Sequence, residues 1–183
     1  MKTSVIITDD FYGNPDSVRA FALQQEFKVQ GNFPGQRTAS FLTADVKETI
    51  QSILWNVAGE ITNWNEADGL TGSFELATAA NRSWIHTDHH NTWAGVLYLT
   101  PDAPYTGGTG LFRHRATGAT TSAELEVYES QDMTKWDMID RIGNRYNRLA
   151  MYRSNMFHTS LDYFGKDLHD GRLFQLFFLT TQY

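Results

Sequence analysis

The sequence predicts an α+β chain in which helices near the N-terminus are followed by short strands that build a sandwich or a barrel. Three observations carry that expectation. Apolar residues recur at helical spacing up to Ile61, and from Gly72 onward the period changes to strand-like alternation. Aromatic residues make up 14% of the chain, and many of them fall in the alternating segments, as suits a pleated, half-buried surface.

A short strand comes first. Asn14-Pro15 then supplies an N-cap and a first-turn proline, with Val18, Phe21 and Ala22 at helical spacing, so a helix is expected from about Pro15 to Phe27. Gly31-Asn32-Phe33-Pro34-Gly35 is a loop by its turn residues. The Phe33 to Thr38 stretch is a lid, a substrate contact or a plain connector, with Arg37 as the residue to test. A longer helix opens near Thr43, with Val46, Ile50, Ile53, Leu54, Val57 and Ile61 on one side. Strands are expected over Ser73–Thr78, Ser83–Asp88, Gly95–Thr100, Gly110–His114, Leu149–His158 and Arg172–Thr180. One helical insertion is expected around Asp132 to Tyr146, where Met133, Trp136, Ile139 and Ile142 make an apolar stripe.

A chain of 183 residues with 41% hydrophobic content is long enough for one substantial core, and one domain is expected. The absence of cysteine excludes disulfides, zinc-thiolate sites and a thiol nucleophile, so any metal must be held by nitrogen and oxygen. A net charge of -6 argues against nucleic acid as a partner. Val5-Ile6-Ile7 is far short of a signal sequence and nothing later reaches membrane-spanning length, so the expectation is a soluble, cytoplasmic protein with no membrane partner.

The densest chemistry lies in Trp84-Ile85-His86-Thr87-Asp88-His89-His90. On a strand, His86 and Asp88 share a face, roughly 7 Å apart at the backbone. Two histidines and one carboxylate on one face of an octahedron is how non-haem Fe(II) oxygenases leave positions open for substrate and dioxygen. A second histidine must come from elsewhere. Among the other histidines, His90 shares the face of His86 and Asp88 and is expected behind the ligands. His169 is expected in a turn, and His114 lies among arginines that disfavour a cation. Arg172 opens an otherwise apolar run, where its planar fork suits a small dicarboxylate; the alternative is an exposed strand start that meets water or Asp170. Gly107-Gly108-Thr109-Gly110 is not followed by Lys-Ser or Lys-Thr, so a phosphate loop is rejected.

Taken in order, His86-Thr87-Asp88, the strand Val96 to Thr100, the Gly107 to Leu111 turn, His158 and Gly171-Arg172 resemble the Fe(II)/2-oxoglutarate dioxygenases, especially the prolyl-4-hydroxylase-like branch. The resemblance covers roughly residues 74 to 180. It implies a double-stranded β-helix (jelly-roll) core over residues 71–183, supported by helices within residues 1–70, as one dioxygenase-like domain. It implies His86, Asp88 and His158 as catalytic iron ligands, and Arg172 with Tyr98 as holders of the distal carboxylate of 2-oxoglutarate. The implied cofactors are Fe(II), 2-oxoglutarate and dioxygen. The implied reaction is hydroxylation of a small molecule or protein side chain, with release of succinate and CO2. The family often carries a hydroxyl further along the arginine strand, where this chain has Leu176; Gln175 is also unusual. Two rival readings are a non-catalytic jelly-roll binding module and a cupin-like metal-dependent hydrolase or isomerase with Glu75 or His90 as base.

Overall fold

The computed structural model describes residues 3–88, 90–127 and 130–182. In chain order the elements are β1 (Val5–Thr8), α1 (Pro15–Leu23), β2 (Gln36–Ser40), α2 (Ala44–Ala58), β3 (Glu60–Asn63), β4 (Ser73–Ala77), β5 (Trp93–Tyr98), β6 (Thr109–His114), β7 (Trp136–Ile142), β8 (Leu149–Arg153), β9 (His158–Ser160) and β10 (Arg172–Gln182). All pairings are antiparallel. The larger sheet runs β1-β8-β5-β10-β4-β2, with β3 on the far end of β10, and the smaller sheet runs β7-β6-β9. Two face-to-face antiparallel sheets of this order form the expected jelly roll.

Alternation on the larger sheet separates two apolar layers. Trp93, Leu97, Met151, Leu173 and Phe177 face outward and meet Val46, Ile50, Leu54 and Ala58 of α2 and Ala22 of α1. Ala94, Val96, Tyr98, Ala150, Tyr152, Phe174 and Leu176 face inward and meet Leu111 and Ile142 of the smaller sheet. The parity of β10 therefore sends Arg172 inward with Phe174, and Gln175 outward. Gln175 accepts from the Tyr12 hydroxyl at 2.6 Å and donates to the Gly72 carbonyl at 3.0 Å, which accounts for a polar residue in that strand. Among the described residues no helix is long and apolar enough to cross a membrane.

Both N-terminal helices exist, with shorter bounds than their periodicity suggests. Asn14 caps α1 by accepting from the Ser17 N–H. The chain leaves the helix after Leu23 and pairs Val29 with Arg37 at 2.9 and 3.1 Å. Thr43 caps α2, and Gly59 at φ +82° ends it, which moves Ile61 into β3. The first 70 residues thus add three strands to the two helices.

The helical insertion is not present. Residues 136–142 form β7, preceded by a 3-10 turn at Met133–Lys135. Trp136 and Ile142 are buried at its two ends, while Met133, Met138 and Ile139 are exposed, so the apparent stripe faces no common core. A bulge opposite Leu111/Phe112 disrupts the alternation that would otherwise mark a strand. The expected Ser83–Asp88 strand is reduced to bridges at Ile85 and His86. The expected Leu149–His158 strand breaks into β8 and β9, one in each sheet.

Candidate metal centre and cavity

His86 and His158 face each other across an antiparallel bridge in which each backbone N–H donates to the other's carbonyl at 3.0 Å. Directly opposite residues project to one face, and their rings lie 4.4 Å apart between centroids. Asp88, two residues on, is held by its N–H donating to the Ser154 carbonyl at 2.8 Å. The break between β8 and β9 carries the chain from one sheet to the other and brings His158 opposite His86.

The hydrogen bonds of the two rings orient their outer nitrogens. Nδ1 of His86 lies 2.9 Å from the Trp84 carbonyl, and Nδ1 of His158 lies 2.8 Å from the Met156 carbonyl. A carbonyl only accepts, so each Nδ1 carries the donated proton and each neutral ring presents a lone pair at Nε2. Nε2 of His158 is 3.1 Å from Asp88 Oδ2, Nε2 of His86 is 4.0 Å from Oδ1, and one donor atom from each residue lies within 4.8 Å of the others. Lone pairs converging on one point require a cation among them, a proton or a metal. Burial, reinforced by the neighbouring His158, pushes His86 below the ordinary histidine range. Burial works against ionisation of Asp88. With a proton as the shared cation, the hydrogen bond from His158 and the charges of His158, His86 and Arg37 outweigh it and hold the carboxyl below its usual value, and a metal at the same point would take that proton's place. A neutral imidazole beside an ionised carboxylate is the protonation state a divalent metal needs.

Arg172 is fully buried where β10 begins. Its Nε donates to the Gly107 carbonyl at 2.9 Å and its Nη2 to the Gly108 carbonyl at 3.3 Å. The Gly107-Gly108 turn is therefore a cradle for this guanidinium. Phe174 packs on it at 4.2 Å, with Tyr98 at 5.5 Å and Tyr163 at 5.7 Å. Among the described residues its Nη1 has no hydrogen-bond partner, and no carboxylate pairs with it. A buried cation left in that condition is costly unless an anion completes it. Tyr98 is also fully buried, and its hydroxyl shares a 2.8 Å hydrogen bond with Thr109.

A cavity of about 600 Å³ joins these features; His86, Asp88 and His158 line it, as do Thr109, Tyr163 and Phe174 from the surroundings of Arg172 and Tyr98. Leu176 contributes an apolar patch where the family often carries a hydroxyl, and the hydroxyl-bearing residues that line the cavity include Thr109, Ser160 and Tyr163. The sequence pattern did not single out these three, because they converge from separate strands and turns. Arg37 lies on β2 rather than in a loop and pairs with Glu75 across to β4 in the cavity wall, at 2.5 Å. His90 lines the exposed rim. His114 packs beside Trp136 and bonds Thr117, and His169 lies exposed near α1; neither lines this cavity. His89 lies outside the described residues.

The fold is the double-stranded β-helix of iron- and 2-oxoglutarate-dependent oxygenases. HygX from Streptomyces hygroscopicus, crystallised with nickel and 2-oxoglutarate bound, superposes with a TM-score of 0.65 at 11% identity, over 96% of this chain and 82% of that one. SnoN, a non-heme α-ketoglutarate-dependent epimerase from nogalamycin biosynthesis, gives 0.56 at 10% identity over 96% and 77%. A prolyl hydroxylase from Trichoplax adhaerens, in complex with a hypoxia-inducible-factor peptide fragment, gives 0.53 at 13% identity over 96% and 83%. By sequence, residues 1–133 match the profile of DUF6445, a family of unknown function, and the chain belongs to that family. No curated protein matches it.

Proposed function

We propose that this chain is a non-haem Fe(II)- and 2-oxoglutarate-dependent oxygenase of the hydroxylase type, acting on a C–H bond of a small molecule or protein side chain. One observation carries the reading: three converging metal donors share a cavity wall with the surroundings of a buried arginine that lacks a counter-anion. A metal site alone would suit a hydrolase equally well. A hydrolase has no use for the arginine, whereas a dicarboxylate co-substrate does.

In this reading His86, Asp88 and His158 hold the metal, and Arg172 with Tyr98 holds the distal carboxylate of 2-oxoglutarate. Iron and 2-oxoglutarate bound there supply, with dioxygen, the oxidising power for hydroxylation, and succinate and CO2 leave. The ionised Asp88 offsets part of the metal's charge, and the two carbonyl bonds fix the imidazoles. Val96, Leu176 and Phe178 line the cavity with apolar surface that keeps water scarce. Residues 71–183 carry every residue named here, and residues 1–70 support them within one functional unit. The bound 2-oxoglutarate of HygX, on the same fold, supports the assignment.

Anaerobic titration of the Fe(II)-loaded protein with 2-oxoglutarate tests it. A weak visible charge-transfer band that saturates is expected, and Arg172→Ala should lose it at the same concentration while retaining iron. Iron binding with no band in the unaltered protein would overturn the reading in favour of a metal-dependent hydrolase or isomerase. Failure to bind iron at all would overturn it in favour of a non-catalytic module.

A further inference from the structure

The cavity wall contains a second charged pair that the chemistry above leaves unused. Arg37 on β2 and Glu75 on β4 are directly paired in register, and the Arg37 Nε donates to Glu75 Oε2 at 2.5 Å. Both residues are more than nine-tenths buried, with 8% and 2% exposure, and both line the cavity that holds His86, Asp88 and His158. The bond uses one N–H and one carboxylate oxygen. Among the described residues the two Nη groups of Arg37 and Oε1 of Glu75 make no hydrogen bond, yet none of the three is sealed off from solvent. The Phe33 ring packs on the guanidinium at 3.7 Å from its centroid and fixes its plane.

A buried ion pair stabilises a fold weakly at best, so packing alone gives little reason for one here. Unused donors and an unused acceptor at a cavity surface fit ligand recognition. The sign of the charges restricts the ligand. A bare anion on Arg37 would meet the charge of Glu75, and a bare cation on Glu75 would meet that of Arg37. A molecule carrying a carboxylate and an ammonium close together meets each with its opposite. Val96, Leu176 and Phe178 leave an apolar region for the remainder of such a molecule.

We infer that Arg37 and Glu75 form a subsite for a small zwitterion of the α-amino acid class, its carboxylate on the Nη groups of Arg37 and its ammonium on Oε1 of Glu75. Naming that molecule the substrate rests on the oxygenase reading; its binding does not.

Ligand-observed NMR on the full chain, with and without Mn(II) and 2-oxoglutarate, tests the subsite. The probes are the proteinogenic α-amino acids, their N-acetyl derivatives and their methyl esters. At least one free amino acid should bind saturably and weaken about tenfold or more when either charge is blocked. The variant R37M/E75L removes both charges together, because removing one leaves the other buried and uncompensated. It should retain the far-UV circular dichroism and the 2-oxoglutarate binding of the parent and lose the amino acid. If that variant does not fold, the blocked probes decide on the unaltered protein. Blocked probes binding as tightly as their parents, undiminished binding to the double variant, or no amino acid binding at millimolar concentration would each overturn the inference. Amino acid binding without the iron charge-transfer band would uphold the subsite and remove the oxygenase reading; the band without amino acid binding would do the reverse.

Discussion

Asp9 shows how one carboxylate joins distant parts of the chain. It accepts from Arg148 Nε at 2.7 Å and Nη2 at 3.0 Å, and from Arg145 Nη1 at 2.8 Å, which ties the end of β1 to the start of β8. The Arg148 hydrogen bond, opposed by burial and aided by both guanidinium charges, holds its carboxyl below the ordinary aspartate value. A folded-state value lower than the unfolded one means that the unfolded chain binds more protons in that window. The stabilisation is therefore complete above the ordinary aspartate range and fades as pH falls through the depressed value. Urea unfolding of Asp9→Asn should show a loss of about 1 kcal/mol at pH 7, kept small by partial exposure, and a shrinking difference in acid. An equal loss at both extremes would show that the charge is irrelevant. At this scale the sequence drew attention to polar groups that interrupt apolar surroundings, His86, Asp88 and Arg172, and the family resemblance added His158. It was silent on Arg37 with Glu75 and on Tyr98 with Thr109, whose pairings depend on strand register that no local pattern encodes.

The elements were legible where one period ran uninterrupted. In α2, Val46, Ile50, Leu54 and Ala58 lie on one buried stripe. In β10, unbroken alternation puts Arg172 and Phe174 on the inner face and Gln175 on the outer one. The pattern failed at β7, an edge strand with a bulge, where side chains exposed to water carry little information about period. It was silent on the role of Gly107-Gly108, which is backbone proximity rather than conformation. A Cβ on Gly108 would overlap the Ile142 carbonyl oxygen and crowd the Asn144 N–H at 2.9 Å. The Gly108 carbonyl also accepts from Arg172. Gly108→Ala should therefore cost about 1–3 kcal/mol as an overpacking change. It should also weaken 2-oxoglutarate binding while metal affinity stays close to that of the parent. Gly13→Ala, with open space around the added carbon, is the control and should leave both stability and binding near the parent. If Gly108→Ala weakens metal and 2-oxoglutarate equally, the turn acts through general unfolding rather than through Arg172.

Across the whole molecule, the groups assigned to iron and to the distal carboxylate are divided between the sheets. His158 lies on β9 of the smaller sheet with His86 bridged to it, while Arg172 and Tyr98 lie on β10 and β5 of the larger one. The periods conveyed a β-rich chain and left sandwich and barrel open, and the family resemblance added the jelly roll; neither told which strands would cross between sheets, because that depends on the turn at Ser154-Asn155. The division has a thermodynamic consequence. On the proposed assignment, metal alone would stabilise only the smaller sheet's edge, whereas 2-oxoglutarate chelated to the metal and held by Arg172 would brace one sheet against the other. A ligand at about one hundred times its dissociation constant adds roughly 2.7 kcal/mol. For a chain of this size that raises the melting temperature by roughly 5 to 10 °C. Melting in the presence of Mn(II) should show one increment, and adding 2-oxoglutarate should show a second that is absent without metal. Arg172→Ala should keep the first increment and lose most of the second, whereas His158→Ala should lose both. A 2-oxoglutarate increment that persists without metal, or that survives Arg172→Ala unchanged, would mean that the oxo acid does not bridge the sheets as this arrangement requires.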